Sequence, residues 1–425
     1  MNLRRIALAA AFSALACLTP SAFAGDEPFA LKDGDRVVFY GDSITEQRLY
    51  TLYTEAYVVT RFPTLNVAFV HSGVGGDRVG GGWAGPIDLR LTRDVLPYKP
   101  TVMTIMLGMN DGSYRAFDKK IFDTYEQGYR HIVTTMKEKA PGLRLTLVVP
   151  SPFDDVTRKP NFEGGYNAVL RRYGEFVREL AKQEGANVAD LNTPVVEATK
   201  KAFQSDPELA QKINPDRVHP APAGQLLMAA ALLKSWHAPA LVSKVEIDVE
   251  DAGNFDEDDV ANAKVTELAS KDGVLVWTQT DAALPMPIDV KDPATALAIR
   301  SSDVVDSLDK QILQVKGLDS DRYTLNIDGK QVGEFNRSEL AGGVNLATLE
   351  TPMLAQSKHV LDLLRRHNDL HFARWRNIQM PASDLNADKL NAALAAIDAL
   401  ENELVLKARA AAAPVSHKFE LKPKK

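Results

Sequence analysis

Between residues 36 and 236, short runs of apolar residues alternate with longer segments whose apolar positions recur at the spacing of a helix. Uninterrupted apolar runs are typical of strands that are buried on both faces, and the longer segments have the period of helices that cover such strands. The runs predicted to be strands are residues 37–39, 67–70, 102–107, 143–149 and 188–191. This alternation predicts an α/β domain with a parallel central sheet.

One connecting segment shows the helical period clearly. Ile121, Tyr125, Ile132 and Met136 recur at a spacing that places them on one face of a helix. Such a helix between two strands is a crossover connection that packs on the sheet, and it supports a doubly wound arrangement. In sheets of this kind, ligands bind at the carboxyl ends of the strands.

After Pro239 the pattern changes to shorter, strand-like runs. The acidic stretch 248–259 is predicted to be a solvated linker or exposed loop, which suggests a domain boundary near residue 243. Strands are predicted at residues 274–278, 312–315 and 323–327, and the last run ends at Asp328-Gly329, a strong hairpin-turn signal. We therefore expect a first domain over residues 25–242 and a β-rich module over residues 243–350.

Two closing helices are predicted in the remaining segment, residues 351–425. Apolar residues recur at helical spacing over 352–366 and 385–406, among many Ala, Leu, Glu and Lys. The tail after Arg409 is expected to fray, because terminal residues are poorly ordered unless they are tied down. Trp375 lies between two arginines, where packing on the core is the favoured interpretation and stacking on a sugar ring is the alternative.

The N-terminus has the composition of a secretory signal peptide. Arg4 and Arg5 precede an apolar run over residues 6–18, and a small-residue cleavage pattern ends at Ala24. A membrane anchor is the alternative, but a spanning helix needs about 20 apolar residues. We predict that residues 1–24 are removed and that the protein is secreted or periplasmic. The sole cysteine, Cys17, lies in this segment, so the mature chain is expected to rely on core burial rather than disulfides.

Composition narrows the function further. The 425 residues are 45% hydrophobic and 25% charged, as in average soluble proteins, so disorder and a membrane bundle are not indicated. The formal net charge of −6 gives no reason to expect a nucleic-acid partner, since readers of nucleic acid carry clustered Lys and Arg. The sequence therefore indicates a soluble enzyme or binding protein without stable membrane insertion.

Two short motifs follow the first two predicted strands. In Gly41-Asp42-Ser43, a glycine allows the chain to turn sharply and leaves the serine hydroxyl exposed above the sheet edge. An ordinary turn or helix cap would have the same sequence. In the loop that begins at Gly73, the backbone N–H of Gly76 can point at a developing oxyanion without obstruction. The alternative there is a flexible glycine loop.

Two further motifs supply the other groups that acyl transfer needs. Asn110 follows the third predicted strand, where its amide can donate to an oxyanion, although turn chemistry is an equal explanation. Asp216 lies three residues before His219, an offset at which a carboxylate reaches Nδ1 and turns Nε2 towards a nucleophile. Of the eight histidines, His219 alone has aspartate at this offset.

Together these motifs resemble the four sequence blocks of the SGNH, or GDSL, hydrolase superfamily over about residues 35–237. The resemblance implies a flavodoxin-like, three-layer α/β domain. It also implies a catalytic triad of Ser43, Asp216 and His219, with an oxyanion hole formed by Ser43, Gly76 and Asn110. His71 departs from the family, which often has Asn at that position; this changes how the loop is held but removes no catalytic group.

The resemblance implies a serine esterase that hydrolyses carboxylic esters through an acyl-enzyme, without cofactor or metal. Asp42, Asp77 and Asp111 could suit a hard cation, but each lies beside a motif residue whose loop it can hold, which is the favoured interpretation. Substrates are expected to be small-molecule or polysaccharide esters, with a preference for acetyl esters of carbohydrates. A carbohydrate O-acyltransferase, a lysophospholipase or lipase, and a non-catalytic binding protein remain alternatives. The sequence does not determine the oligomeric state.

Overall fold

A computed structural model describes residues 27–250 and 259–424 of the chain. The predicted signal peptide, residues 1–24, and Cys17 lie outside these ranges. Among the described residues, no helix is long and apolar enough to cross a membrane.

Between residues 27 and 240, the structure contains seven strands and eight α-helices, and helices connect the successive strands of the main sheet. In chain order they are β1 (Arg36–Gly41), α1 (Ser43–Glu46), α2 (Leu49–Arg61), β2 (Ala68–Gly73), β3 (Gly81–Gly82), β4 (Gly85–Pro86), α3 (Ile87–Asp94), β5 (Val102–Met106), α4 (Lys119–Lys139), β6 (Arg144–Val149), α5 (Gly165–Glu184), β7 (Asn187–Asp190), α6 (Thr193–Ser205), α7 (Pro207–Ala210) and α8 (Pro222–Ser235).

Five of these strands form a parallel sheet in the order β2-β1-β5-β6-β7. Every neighbouring pair is parallel, and Gly41 at the end of β1 is level with Gly73 of β2 and Met106 of β5. The predicted doubly wound α/β fold is confirmed. The connections that follow the neighbouring strands β1 and β5 run to opposite sides of the sheet, to β2 and to β6, so a crevice opens between the carboxyl ends of β1 and β5.

The sheet forms because its strands have apolar side chains on both faces. Val37, Val38 and Phe39 of β1 are fully buried, and helices cover both sides of the sheet. Tyr125 and Tyr129 of α4 donate hydrogen bonds to backbone carbonyls of the β5 segment, so each buried phenol has a partner. Burial of this kind, at roughly 25 cal/mol per Å² of apolar surface, is the main stabilising contribution.

The second part of the chain is β-rich and closes with two long helices. Its elements are β8 (Leu241–Asp248), β9 (Val260–Ala261), β10 (Ala263–Lys271), β11 (Val274–Asp281), α9 (Pro293–Arg300), α10 (Val304–Leu308), β12 (Lys310–Lys316), β13 (Arg322–Ile327), β14 (Lys330–Asn336), α11 (Arg337–Gly342), β15 (Val344–Asn345), α12 (Pro352–Ala373), a π-helical turn (Arg374–Gln379), α13 (Ala387–Ala411) and β16 (Ser416–Pro423).

Two sheets share the core of this β-rich region. One has the order β10-β11-β16-β13-β14 and the other has the order β15-β12-β8-β9. Their buried faces meet around Trp277, Leu313, Tyr323 and Phe419. The predicted β-rich region is present, and the predicted boundary near residue 243 falls at the start of β8. By contrast, α9 and α10 pack with the core of the first domain.

The prediction that the tail after Arg409 frays is wrong. Helix α13 continues to Ala411, and β16 then pairs with both β11 and β13. Phe419 and Leu421 are buried, while Lys418 and Lys422 on either side of them are exposed. This period-two alternation ties the tail down, because a central strand has backbone partners on both edges.

The closing helices pack on the first domain as well as on each other. Leu52 and Ala56 of α2 meet Val360 and Leu364 of α12 in a buried apolar cluster. Beside it lies a buried polar cluster that links α2, β2, α12 and α13. Its members are joined by hydrogen bonds or by close ion pairs: Glu55, His71, His367, Asn368, His371 and Glu401.

His71 belongs to this cluster and is held by two hydrogen bonds. Its Nδ1 lies 2.6 Å from Thr51 Oγ1, and its Nε2 lies 3.1 Å from Glu55 Oε2. Burial, with additional repulsion from His371 and Arg48, lowers the pKa of His71 well below its ordinary value of 6.5. The folded protein therefore keeps this imidazole neutral at pH values where the unfolded chain takes up a proton.

We expect His71 to make the protein less stable in acid. Because its folded-state pKa is lowered, stability is lost as pH falls below about 6.5, by up to about 1.4 kcal/mol per pH unit. Replacing His71 by Asn should flatten the fall in unfolding free energy between pH 7 and pH 5, measured by urea denaturation. Burial raises the pKa of Glu55, and this raised pKa makes the folded protein more stable as pH falls, opposite to the effect of His71. Because Glu55 is present in both proteins, the difference between their pH slopes reports on His71. Equal pH slopes for the two proteins would contradict this prediction.

Candidate active site

The proposed nucleophile lies on a sharp turn at the carboxyl end of β1. Ser43 is the first residue of α1, and the Asp42 side chain caps this helix by accepting a hydrogen bond from the Ile44 N–H at 3.0 Å. A Cβ at Gly41 would lie 2.8 Å from the Met106 carbonyl oxygen of β5. Only glycine fits between the strands here, so the close approach of β1 and β5 fixes the position of Ser43.

Ser43, His219 and Asp216 form a continuous chain of hydrogen bonds. His219 Nε2 lies 2.8 Å from Ser43 Oγ, and His219 Nδ1 lies 2.7 Å from Asp216 Oδ2. Partial burial raises the pKa of Asp216, but hydrogen bonds from the backbone N–H and ring of His219 outweigh it and hold this pKa below 3.8. The carboxylate therefore stays ionised and orients the imidazole, the arrangement that general-base activation of a serine requires.

The loop that carries His219 is fixed from outside the triad. Arg217 has a left-handed backbone with φ of 75°, and its guanidinium donates to Asp155 Oδ1 at 2.6 Å and to the Asp154 carbonyl at 3.0 Å. Arg217 also stacks over Phe153 at 4.6 Å. These contacts offset the cost of the unusual backbone conformation and hold the turn in which Asp216 reaches His219.

The glycine loop after β2 passes close to the nucleophile. A Cβ at Gly75 would lie 3.9 Å from Ser43 Cβ and 2.8 Å from Glu46 Oε2. The N–H of Gly75 donates to that carboxylate at 2.9 Å. Gly76 follows with φ of 78°, a conformation that favours glycine. The structure therefore brings Gly76 to the same edge of the sheet as the serine.

Asn110 lies on the other side of this loop with its side-chain amide held in one orientation. Its Nδ2 donates to the Asp77 carbonyl at 3.0 Å, and its Oδ1 accepts from the Tyr114 hydroxyl at 3.0 Å. The second Nδ2 hydrogen remains for a ligand. Sequence reasoning missed Tyr114, since no pattern distinguishes it from other loop aromatics.

The three motif aspartates hold the loops that surround the site. Asp42 caps α1, Asp77 Oδ2 accepts from Arg90 at 2.8 Å, and Asp111 Oδ1 accepts from the Val79 N–H at 2.9 Å. Burial raises the pKa of Asp42 and of Asp111 to about 7. Among the residues in the described ranges, no group of three or more His, Cys, Asp or Glu has a spacing that could hold a metal ion.

Arg90 is a second residue that the sequence analysis missed. Its side chain is fully buried and also donates to the Ser72 carbonyl at 3.1 Å, in addition to its contacts with Asp77 and Asp94. A signal exists in the sequence, because Arg90 falls on the apolar face of α3 beside Ile87 and Leu91. A charged residue at such a position predicts a buried carboxylate partner.

Replacing Asn110 by Ala is expected to lower kcat by about 10²- to 10³-fold with little change in KM. The reason is that an oxyanion donor acts mainly in the transition state, and removing one costs about 3–4 kcal/mol. Steady-state hydrolysis of p-nitrophenyl acetate measures the effect. A rise in KM at constant kcat would instead assign Asn110 to ground-state binding.

Comparison with known proteins places the first domain in a family. Residues 39–227 match the GDSL-like lipase/acylhydrolase family. Residues 39–227 therefore form an SGNH/GDSL-type domain that hydrolyses ester bonds.

Among individual relatives, an acetylxylan esterase of Geobacillus stearothermophilus is 26% identical over 227 residues, which is 47% of this chain and 93% of that protein. The structure of Axe2, an acetylxylan esterase from the same organism, covers 49% of this chain and 96% of its own at 24% identity, with a TM-score of 0.40. BT4096, a gut microbial diltiazem-metabolizing enzyme, is similar over 93% of this chain and 98% of its own, with a TM-score of 0.79 and 23% identity. The similarity in fold to BT4096 therefore extends over the C-terminal region of this chain as well as over the first domain.

Proposed function

We propose that the protein is an exported serine esterase that removes acetyl groups from carbohydrates through an acyl-enzyme. The observation that carries the proposal is the hydrogen-bonded chain from Ser43 through His219 to Asp216. The acetylxylan esterase that matches the first domain supports the choice of acyl group and alcohol. The N-terminal pattern that ends at Ala24 supports export.

In the proposed mechanism, Ser43 Oγ attacks the ester carbonyl carbon while His219 Nε2 takes the hydroxyl proton. Asp216 stabilises the imidazolium that forms, and the N–H groups of Ser43 and Gly76 with the Asn110 amide stabilise the oxyanion. When the tetrahedral intermediate collapses, the carbon–oxygen bond to the alcohol breaks and His219 returns the proton to that alcohol. Water, activated by His219, then releases acetate and restores Ser43.

The exposure of the site is compatible with a large alcohol portion of the substrate. Asp216 retains 55% exposure of its side chain and His219 retains 34%, so the triad lies near the surface. A sugar chain could therefore extend past the site in solvent while one acetyl group enters it. A triad of this kind does not by itself determine the acyl length, so substrate choice requires measurement.

The test compares p-nitrophenyl esters of increasing acyl length with an acetylated xylo-oligosaccharide, and measures acetate released from the latter. We expect turnover of the acetyl esters, with kcat/KM falling as the acyl chain lengthens. A preference for long acyl chains would replace the proposal by a lipase, and acetyl transfer to an added sugar would replace it by an acyltransferase. If no ester is turned over and a phosphonate does not label Ser43, a binding protein is the remaining explanation.

A further inference from the structure

An exposed tryptophan lies beside the proposed oxyanion loop. Trp83 retains 55% exposure, and its indole N–H donates to the Gly75 carbonyl at 2.8 Å. Gly75 precedes the proposed oxyanion donor Gly76, and a Cβ at Gly75 would lie 3.9 Å from Ser43 Cβ. A large apolar side chain left in solvent next to a reaction centre is a common mark of a ligand contact.

The C-terminal segment holds this tryptophan in place. The Arg376 guanidinium lies 3.9 Å from the centre of the Trp83 ring and covers one of its faces. Trp375 packs beside it on Val74 and Ala84, and its indole N–H donates to Asp94 Oδ1 at 3.0 Å. The π-helical turn is therefore anchored to the glycine loop of the first domain.

These contacts give Trp83 a fixed orientation with an open face. Its N–H edge is bonded to Gly75 and one face lies under Arg376, so the exposed area belongs to the opposite face and the outer edge. Trp375 itself is only 8% exposed, which agrees with the packing interpretation of that residue. Within the described ranges, no carboxylate lies within ion-pair distance of Arg376, so the stacking contact with Trp83 is its main side-chain interaction.

We propose that Trp83, positioned by Arg376, forms a subsite for a pyranose ring of the substrate, so that the C-terminal segment takes part in choosing the alcohol. This inference rests on the proposed carbohydrate esterase function. The apolar C–H face of the sugar stacks on the open face of Trp83, while Arg376 on the opposite face holds the indole in position. An aromatic face suits this partner because it is apolar, rigid and already ordered by its neighbours.

The subsite is tested by the selectivity between two acetyl esters. We expect Trp83→Ala to lower the ratio of kcat/KM for an acetylated xylo-oligosaccharide to that for p-nitrophenyl acetate about tenfold, mainly through KM. Trp83→Phe should restore most of the ratio, because it keeps an aromatic face without the indole N–H. Arg376→Gln should give an intermediate loss. Leu385→Ala, at an exposed apolar residue beyond the π-helical turn, is the matched control and should change neither substrate.

A binding measurement separates this inference from the esterase proposal. Calorimetric titration of Ser43→Ala with an unacetylated xylo-oligosaccharide should detect binding that is lost in Ser43→Ala/Trp83→Ala. If the wild-type enzyme deacetylates the oligosaccharide but Trp83→Ala leaves the selectivity ratio and the binding unchanged, the subsite is wrong and the esterase proposal stands. If the oligosaccharide binds in a Trp83-dependent way but is not deacetylated, the subsite stands and the esterase proposal is wrong. An equal loss of kcat/KM on both substrates would show that Trp83 only holds the glycine loop and does not bind the sugar.

Discussion

Replacing Ser43 by Ala is expected to reduce kcat for p-nitrophenyl acetate by roughly 10⁴- to 10⁶-fold. The variant keeps the substrate site and the oxyanion donors but has no oxygen to form the acyl-enzyme. In the wild type, Ser43 Oγ lies 2.8 Å from His219 Nε2, and in the variant this nitrogen has no hydroxyl to deprotonate. The residual rate should be that of water attack assisted by the remaining groups.

The Ser43→Ala experiment has a matched control and a clear opposing outcome. Ser205→Ala changes an exposed serine at the end of α6 and should retain full activity. The double variant Ser43→Ala/His219→Ala should be no slower than Ser43→Ala, because residues that act as one unit are not additive. Retention of more than about a hundredth of the activity in Ser43→Ala would rule out this serine as the nucleophile.

Replacing Arg90 by Leu is expected to destabilise the protein by about 3–5 kcal/mol. The substitution leaves Asp77 and Asp94 buried without the guanidinium between them, and such uncompensated charge is costly. Burial already raises the pKa of Asp77 and Arg90 opposes this rise, so the pKa should climb further in the variant. Denaturant unfolding followed by tryptophan fluorescence measures the loss of free energy.

The same substitution should also reduce activity, because Asp77 and its carbonyl hold Gly76 and the Asn110 amide. Arg171→Leu, at an exposed arginine of α5, is the control and should change stability by less than about 0.5 kcal/mol. The stability of Arg90→Lys should lie between that of Arg90→Leu and that of Arg171→Leu, since lysine keeps the charge but cannot bridge several acceptors at once. An Arg90→Leu protein as stable as the wild type would show that Asp77 and Asp94 find other partners.

The parallel sheet was predictable from the sequence because burial on both faces leaves an uninterrupted apolar run in each strand. The C-terminal strands were harder, because their faces alternate and their pairing is long-range. Strand β10, for example, is mostly exposed. Helix α12 extends past the predicted end at residue 366 to Ala373, since His367 and His371 are polar yet buried. Apolar periodicity cannot recognise a helical face that is buried through ion pairs.

The candidate site was predictable only as a set of residue types at strand ends. Parallel strands bring their carboxyl ends to one edge, so Ser43, Gly76 and Asn110 could be expected to meet there. The residues that orient them could not be found in this way. Tyr114 and Trp83 reach Asn110 and Gly75 four and eight residues earlier in the chain, but only because of the irregular conformation of these loops, which no residue pattern predicts.

The position of β16 gives the C-terminal sheet a particular order of assembly. Strands β11 and β13 each present an open edge until residues 416–423 have been synthesised, because β16 separates and pairs with both. Unpaired strand edges promote association with other chains, and pairing over a long sequence separation is slow. The β-rich region must therefore complete its folding after translation of α12 and α13. A chain whose synthesis has not reached β16 therefore exposes two unpaired strand edges. Slow folding at that stage favours aggregation over the native structure.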